Sequence, residues 1–281
     1  MVDRALVFGE AADVYDRVRP GYPASLVRDV CSYAAREHLQ LLEVGAGTGK
    51  ATAAFADHVD TLLALEPDPA MAAVLIRRVA GHPHVRVVTS SLEDHAPSDR
   101  WDILLSAEAW HWVDPARRWQ LALDHLTTGG VIALCWHYDR PARSEQRAAV
   151  ADALQPTPEL GGHQGAPPAE SLADTWPATE MAAQPALTNL RQHGYHWSRT
   201  VSVADFVGQL STQSSFRTLS EARRTQLLDR VAAGLSSVAS DVSLEVETRL
   251  YLARVDFPRP DRIEDADPDA AVGPSTLTGV R

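Results

Sequence analysis

The sequence contains few residues of the types that build disulfide, metal or membrane-spanning structures. Among 281 residues there are two cysteines, three methionines and a single lysine, Lys50. Cys31 and Cys135 fall in a predicted helix and a predicted strand without metal-ligand spacing, so we expect buried free thiols in a cytoplasmic protein. No run of eighteen apolar residues occurs, and the N-terminal segment lacks the basic start and apolar stretch of a signal peptide. We therefore expect no membrane association.

Charge and histidine distribution exclude two further classes of partner. The formal net charge is -11, whereas a protein that binds a phosphate backbone needs a basic stripe. The eleven histidines are scattered without neighbouring cysteine or carboxylate patterns. We expect no nucleic-acid partner and no metal site.

Apolar segments alternate with amphipathic ones in the first half of the chain. The segments "LQLLEV", "TLLALE", "VRVVTS", "WDILLSA" and "VIALCW" read as buried strands, and helical patterns separate them. Such alternation predicts right-handed crossovers and a parallel sheet covered on both faces, the doubly wound α/β class.

The pattern predicts four parts of the chain. Residues 1–138 form an alternating α/β core with an N-terminal capping helix. Residues 139–243 form an insertion, called the lid below, with a return strand near 193–201, and residues 244–255 supply the last strand of the sheet. Residues 256–281 are proline-rich and acidic, which predicts a disordered tail. Within the lid, Ser202 with Asp205 and Thr218 with Glu221 have capping-box spacing and predict two helix starts.

The densest glycine cluster, "LLEVGAGTGKAT" (41–52), does not match a phosphate-binding loop. A nucleoside-triphosphate loop requires glycine where Val44 stands and a hydroxyl where Ala51 stands. A nicotinamide or flavin turn requires a third glycine where Lys50 stands. The pattern present here is instead an acid, Glu43, two residues before the first of three glycines at alternate positions, which we call the glycine triplet.

Carboxylates at the ends of two successive strands indicate a cationic ligand without phosphate. Glu43 would repel a pyrophosphate but attract an ammonium or sulfonium group. Glu66 ends the next strand, about 20 residues beyond the turn, where a carboxylate can bind both ribose hydroxyls. S-adenosylmethionine carries both cationic groups and a ribose.

The sequence resembles the class I S-adenosylmethionine-dependent methyltransferases, and in particular their small-molecule branch related to trans-aconitate methyltransferase. The resemblance covers roughly residues 8–255 and rests on "YDRVRPGYP", "LLEVGAGTGKAT", "LEPDPAM", "SSLEDHA", "SAEAWHWVDP", "LTTGGVIALCW" and "LSTQSS". It implies a seven-stranded sheet, mostly parallel with an antiparallel edge strand. It also implies that residues 1–138 are a Rossmann-like cofactor-binding core and that residues 139–243 are an inserted helical lid over the substrate. One departure is Glu108, where the family often has glutamine.

The resemblance also implies roles for individual residues. Two groups would contact the cofactor's methionine end: the residues of the glycine turn, with Glu43, and an N-terminal pair, with Arg19 a candidate for the cofactor's carboxylate. The others would lie by the ribose, by the adenine and beneath the transferable methyl. In chain order, the predicted cofactor-binding residues are Tyr15, Arg19, Glu43, Gly45, Gly47, Gly49, Glu66, Pro67, Met71, Leu92, Glu93, Ser106 and Ala107.

Three side chains near the predicted methyl position are candidates for catalysis: Glu108, His111 and His137. A histidine there could remove a proton from the acceptor, or could simply pack, and Glu108 could mark a substrate or face solvent. Trp112 and Trp136 are expected to be core residues, whereas Trp110 fits either role. Thr212 and Ser214 could contact substrate but are more simply explained as a helix end.

The sequence thus predicts a methyltransferase, a monomer or homodimer, that modifies a small organic metabolite on oxygen, nitrogen or carbon, with secondary metabolism as one setting. Two alternatives stay open. One is a protein of this fold that does not transfer methyl, acting as a cyclase or binding partner, and the other is a nicotinamide-dependent oxidoreductase.

Overall fold

Seven strands form one sheet whose central members coincide with the apolar segments of the sequence. The computed structural model describes residues 12–155, 157, 160 and 175–256. The strands are β1 (Gln40–Val44), β2 (Thr61–Leu65), β3 (Val85–Val88), β4 (Trp101–Ala107), β5 (Leu126–Pro141), β6 (Leu187–Ser202) and β7 (Asp241–Val255).

The sheet is parallel over most of its width and antiparallel at one side. Its order is β3-β2-β1-β4-β5-β7-β6. Strands β1 to β5 pair in parallel, whereas β7 is antiparallel to both β5 and β6. The fold class is therefore confirmed, with β6 outermost and the antiparallel strand β7 one position inside it.

Helices cover both faces of the sheet and build the lid. Their bounds are α1 (Ala12–Val18), α2 (Ala24–Ala34), α3 (Lys50–Phe55), α4 (Pro69–Arg78), α5 (Arg118–His125), α6 (Ser144–Leu154), α7 (Ala178–Ala182), α8 (Val203–Ser211), α9 (Ser214–Arg217) and α10 (Glu221–Ser236). None of the helices in the described part of the chain is long and apolar enough to cross a membrane.

The central strands bury both of their faces, which explains their continuous apolar sequences. In β1, Leu41 packs into the apolar cluster on one side of the sheet and Leu42 into the cluster on the other. Ile103 and Leu104 of β4 alternate in the same way. All four side chains are fully buried, as expected for a parallel sheet between two helical layers.

Local capping residues fix where two of the lid helices begin. The Ser202 hydroxyl accepts a hydrogen bond from the Asp205 amide at 3.0 Å, so the predicted start of α8 is confirmed. The predicted cap at Thr218 is wrong. Ser220 caps α10 instead, because its hydroxyl accepts from the Arg223 amide while that of Thr218 donates to the Ser215 carbonyl.

The lid has an apolar core of its own. Leu227, Val231 and Leu235 of α10 are fully buried in a cluster with parts of α6 and α8 and with the first half of β7. Strand β6 contains the predicted return strand at 193–201. The predicted tail lies outside the described residues apart from residue 256.

The N-terminal helix α1 is attached to the core and to the lid by charged side chains. Asp16 forms an ion pair with Arg78 of α4, and Arg17 contacts Asp205 of α8 at 3.2 Å. Arg78 Nε also donates to the carbonyl of Thr48 in the glycine turn at 2.9 Å. These contacts place α1 beside the carboxyl ends of the parallel strands.

Candidate active site

The glycine turn connects β1 to α3, and its three glycines have positive φ angles of 69°, 59° and 83°. A Cβ on Gly45 would lie 2.3 Å from the Ala109 Cβ, and one on Gly49 would lie 2.2 Å from the Leu75 Cδ1. At Gly47 the nearest atom would be 3.8 Å away. Gly49 lines neither of the two spaces described below. The absence of a side chain at this position therefore allows the turn to pack against α4, whereas Gly45 and Gly47 line the larger cavity.

The two predicted acids lie at the ends of neighbouring parallel strands, as expected. Glu43 of β1 is buried and its carboxylate accepts a hydrogen bond from the Thr52 hydroxyl at 2.6 Å. Glu66 follows β2 and accepts from the amides of Gly47 at 2.7 Å and Asp68 at 2.8 Å. Glu66 therefore also holds the glycine turn in place.

The pKa values of both acids are raised above the ordinary value for glutamate. Burial raises the pKa of Glu43 to about 8, with a further increase from Glu66 and an opposing effect of the Thr52 hydrogen bond. Burial likewise raises the pKa of Glu66 to about 7, against the two amide hydrogen bonds that lower it. Neither carboxylate forms an ion pair with a described residue. A cation bound beside them would restore their negative charge.

A cavity of about 710 Å³ opens at this edge of the sheet. It includes ten of the thirteen predicted cofactor-binding residues and all three predicted catalytic ones. These are Tyr15, Arg19, Gly45, Gly47, Glu66, Pro67, Met71, Leu92, Glu93, Ala107, Glu108, His111 and His137.

A narrow recess of about 30 Å³ adjoins the cavity between the glycine turn and the N-terminal segment. Glu43, Lys50 and Tyr22 line this recess, and Arg19 and His137 line both spaces. Glu43 therefore faces the recess rather than the large cavity.

Ser106 lines neither space. Its side chain is fully buried and donates to the Val44 carbonyl at 3.1 Å, so it joins β4 to β1. Its neighbour Ala107 does line the cavity, as expected for alternating side chains of a strand.

The N-terminal segment and the lid meet above the cavity at Arg19. Its guanidinium donates to the Thr212 hydroxyl at 2.9 Å and to the Thr212 carbonyl at 3.2 Å. It also lies over the Tyr15 ring, 5.2 Å from the centroid. Thr212 thus follows the end of α8, as expected, and in addition binds Arg19. Residues 213–215, which come next, line the cavity.

Glu108 faces the cavity in a constrained backbone conformation. Its φ is 63°, in the left-handed region, and its amide donates to the Cys135 carbonyl at 2.9 Å. The side-chain carboxylate accepts the backbone N–H of His137. Burial raises the pKa of Glu108 to about 7, although the Arg19 charge and this hydrogen bond act in the opposite direction. The carboxyl group is thus poised to exchange a proton near neutral pH.

The two candidate histidines differ in their surroundings. His111 lines the cavity with one edge exposed, and its ring centroid is 4.9 Å from that of Trp112. Loss of solvent around the ring and the nearby Arg118 charge lower the pKa of His111. For His137, burial and then Arg19 lower the pKa to about 3. Both rings are neutral at pH 7.

The tryptophans divide between core and cavity. Trp110 is fully buried against Trp119, at a centroid distance of 5.3 Å, and Trp136 is buried against Trp176. Trp112, expected to be a core residue, lines the cavity instead. The reason is that residues 110–112 form a 3-10 turn, which directs adjacent side chains to different surroundings.

Sequence reasoning did not assign several residues that line these spaces, among them Tyr22, Thr89 and Gln213. Tyr22 stands in the recognised segment "YDRVRPGYP", which was the available signal. Within the part of the chain that the structure describes, no group of three or more histidine, cysteine or acidic side chains could hold a metal ion.

Comparisons with known proteins identify the family. A family model described as a methyltransferase domain matches residues 42–134. An uncharacterised methyltransferase of Mycobacterium tuberculosis strain H37Rv is 30% identical over 229 residues, which cover 82% of this chain and 85% of that protein.

Two solved structures share the fold. A proposed type II methyltransferase from Anaeromyxobacter dehalogenans superposes with a TM-score of 0.63 at 22% identity, covering 85% of this chain and 99% of that one. The YcgJ protein of Bacillus subtilis superposes with a TM-score of 0.50 at 17% identity, covering 83% of this chain and 99% of that one. Together with the glycine turn and the two acids, these relationships show that the chain belongs to the class I S-adenosylmethionine-dependent methyltransferases.

Proposed function

We propose that this protein transfers a methyl group from S-adenosylmethionine to a small organic molecule held in the cavity of about 710 Å³. The observation that carries the proposal is the placement of two acids with raised pKa, Glu43 and Glu66, on either side of the glycine turn. Glu66 lines the cavity and Glu43 lines the adjoining recess, and Glu108 and the two neutral histidines line the cavity as well. We assign the two acids to a cationic nucleoside and Glu108 with the histidines to the acceptor.

The residues of the glycine turn fit S-adenosylmethionine. A buried carboxyl without a cationic partner, as at Glu43, favours the ligand's ammonium group. At Gly47, a Cβ would meet its nearest atom only at 3.8 Å, and the absence of a side chain allows a ligand to approach the backbone closely. Each carboxylate oxygen of Glu66 accepts one amide and retains a lone pair for a ribose hydroxyl. Leu92 and Glu93 line the same cavity, and we assign them to the adenine.

When bound, S-adenosylmethionine supplies an electrophilic methyl group on a sulfonium centre. The protein's contribution is to align the acceptor and to exclude water. Ala107 and Glu108, at the end of β4, and Trp112 line the same cavity. Since its pKa is about 7, Glu108 is the group best suited to accept a proton from the acceptor at neutral pH.

The cavity favours a small substrate. Its volume falls within the range of about 300–1,000 Å³ that small-molecule sites occupy. The segment carrying Arg19 and residues 213–215 of the lid close over it. The net charge of -11 also disfavours a nucleic-acid substrate.

Calorimetry and a turnover screen test the proposal. S-adenosylhomocysteine should bind to the wild-type protein, NADH should not, and the matched variant Glu43→Gln should bind S-adenosylhomocysteine more weakly. A panel of aromatic and carboxylic acid metabolites should then include at least one that releases S-adenosylhomocysteine from S-adenosylmethionine. If the cofactor binds but no member of a broad panel yields product, the alternative of a fold retained without methyl transfer is supported. If the cofactor does not bind, the proposal is wrong.

A further inference from the structure

One polar atom of the cavity wall lacks a hydrogen-bond partner. The Nε2 atom of His137 is buried and makes no hydrogen bond within the described structure, and residue His137 lines both the cavity and the recess. A buried polar atom without a partner costs about 1–3 kcal/mol. Such an atom beside a cavity indicates that a ligand group forms the missing hydrogen bond. Whether the ligand group accepts or donates depends on which ring nitrogen of His137 carries the proton.

Hydrogen bonds on the other side of the ring determine the position of that proton. His137 of β5 lies directly opposite Thr248 of β7 in the antiparallel register, and its Nδ1 is 2.8 Å from the Thr248 hydroxyl oxygen. The same oxygen accepts a hydrogen bond from Trp197 Nε1 at 3.0 Å. An indole nitrogen can only donate, so the Thr248 oxygen is an acceptor in this contact.

The hydroxyl proton of Thr248 therefore requires an acceptor of its own. The side chain is fully buried, and its hydroxyl has these two partners within the described structure. His137 Nδ1 is consequently the acceptor, because the indole cannot accept. A neutral imidazole that accepts at Nδ1 carries its proton on Nε2. The unpartnered atom in the cavity wall is thus an N–H donor.

The surroundings keep the ring neutral and fixed. Tyr22 stacks on it at a centroid distance of 4.6 Å, and Trp197 approaches its edge at 6.2 Å. The Arg19 charge acts on the ring and favours its neutral form. A neutral donor beside a cation suits an oxygen acceptor that carries negative charge, in particular a carboxylate.

We infer that His137 is a specificity-determining hydrogen-bond donor rather than a base, and that its Nε2–H binds a carboxylate oxygen of the substrate. This inference rests on the proposed function, since it places the substrate in the same cavity. Glu108 then remains the proton acceptor, and His137 orients the substrate without exchanging a proton.

The tautomer can be measured without any ligand. In protein labelled with ¹⁵N-histidine, long-range proton–nitrogen spectra should show His137 protonated at Nε2 and unprotonated at Nδ1. Thr248→Ser, which keeps the hydroxyl, should preserve this pattern, whereas Thr248→Val should shift the Nδ1 resonance to that of a nitrogen without a hydrogen bond. A proton on Nδ1 in the wild-type protein would overturn the inference.

Two fragment probes with the same ring test the acceptor class. In the presence of saturating S-adenosylhomocysteine, benzoate should bind and shift the His137 Nε2–H resonance, and benzylamine should not. His137→Phe should weaken benzoate binding by about tenfold or more, the value of a hydrogen bond to a charged group. His137→Gln places an amide N–H near the same point and should restore most of the affinity.

The outcomes separate this inference from the proposed function. Failure of benzoate to bind, or an equal affinity for the two fragments, would overturn the inference. The inference would also be overturned if His137→Phe lost affinity for S-adenosylhomocysteine while benzoate binding stayed unchanged. The group that accepts the Nε2 hydrogen bond would then belong to the cofactor. If His137→Phe does not fold, the inference is decided by the spectra of the wild-type protein and by the benzoate affinity of His137→Gln compared with that of the wild-type protein. Failure of S-adenosylhomocysteine itself to bind would count against the proposed function and leave the tautomer result unaffected.

Discussion

Binding of the cofactor should release protons, because Glu43 is protonated in the ligand-free protein. With a pKa of about 8, the Glu43 carboxyl is about nine-tenths protonated at pH 7. A cationic ligand beside it favours the ionised form, so binding at pH 7 should expel close to one proton from this group. Glu66, with a pKa of about 7, should add a smaller contribution.

Because cofactor binding and ionisation of Glu43 are coupled, the affinity for the cofactor should depend on pH. The ligand binds the ionised form of Glu43, so affinity should rise as the pH rises towards 8 and should level off above it. If the bound-state pKa falls below about 5, the Glu43 contribution between pH 6 and pH 9 is about 100-fold in the dissociation constant, or about 2.7 kcal/mol.

Isothermal calorimetry of S-adenosylhomocysteine binding in buffers of different ionisation enthalpy measures the protons released. The matched variant Glu43→Gln keeps the shape of the side chain but has no proton to lose, so its release at pH 7 should be lower by about 0.9 proton. Protons from the ligand's own amino group are common to both proteins and cancel. Equal proton release by the two proteins would refute the raised pKa of Glu43 or its position beside the ligand.

The other predictions concern single substitutions. Glu66→Ala should weaken cofactor binding by roughly 1–3 kcal/mol through the loss of hydrogen bonds to hydroxyls, and an unchanged dissociation constant in calorimetry would remove this residue from the site. Gly49→Ala should lower stability by about 1–3 kcal/mol in chemical denaturation, since a Cβ there would lie 2.2 Å from a Leu75 methyl carbon. The control Gly21→Ala, with no atom within 4 Å, should change stability by less than about 0.5 kcal/mol, and equal losses would contradict the packing argument. Glu108→Gln should lower turnover by about 10²-fold or more and abolish the rise of the rate with pH through about 7. Retention of that rise would show that another group, such as His111, is the base, and a pH-rate profile of His111→Ala would test that.

The features that sequence predicted well depend on neighbours along the chain. The central strands were recognisable because both of their faces are buried, which requires continuous apolar runs. Glu43 and Glu66 were predicted at the ends of successive strands, and they lie at the same edge of the sheet because β1 and β2 pair in parallel. The start of α8 followed from the local bond between Ser202 and Asp205.

The predictions that failed, and the residues that were missed, depend on packing. Thr218 and Ser220 are both plausible caps, and the choice between them is made where α10 meets the lid core. Trp112 and Trp110 are close neighbours of the same type, and only the turn between them directs one into the cavity and the other into the core. The glycine triplet gives no sign that Gly49 packs against α4 and that Gly47 lines the cavity.

The amino-acid sequence alone determined the order of strands and helices along the chain, the glycine turn and the two acids beside it, because these are set by hydrophobic periodicity and short-range spacing. Only the tertiary structure decided the surroundings of His137 and Arg19. His137 and Thr248 are 111 residues apart in the chain and become hydrogen-bond partners only when β7 inserts antiparallel between β5 and β6. Arg19 and Thr212 likewise meet only after the lid folds back over the N-terminal segment. Proton positions and side-chain charges follow from such contacts, and residue spacing does not encode them.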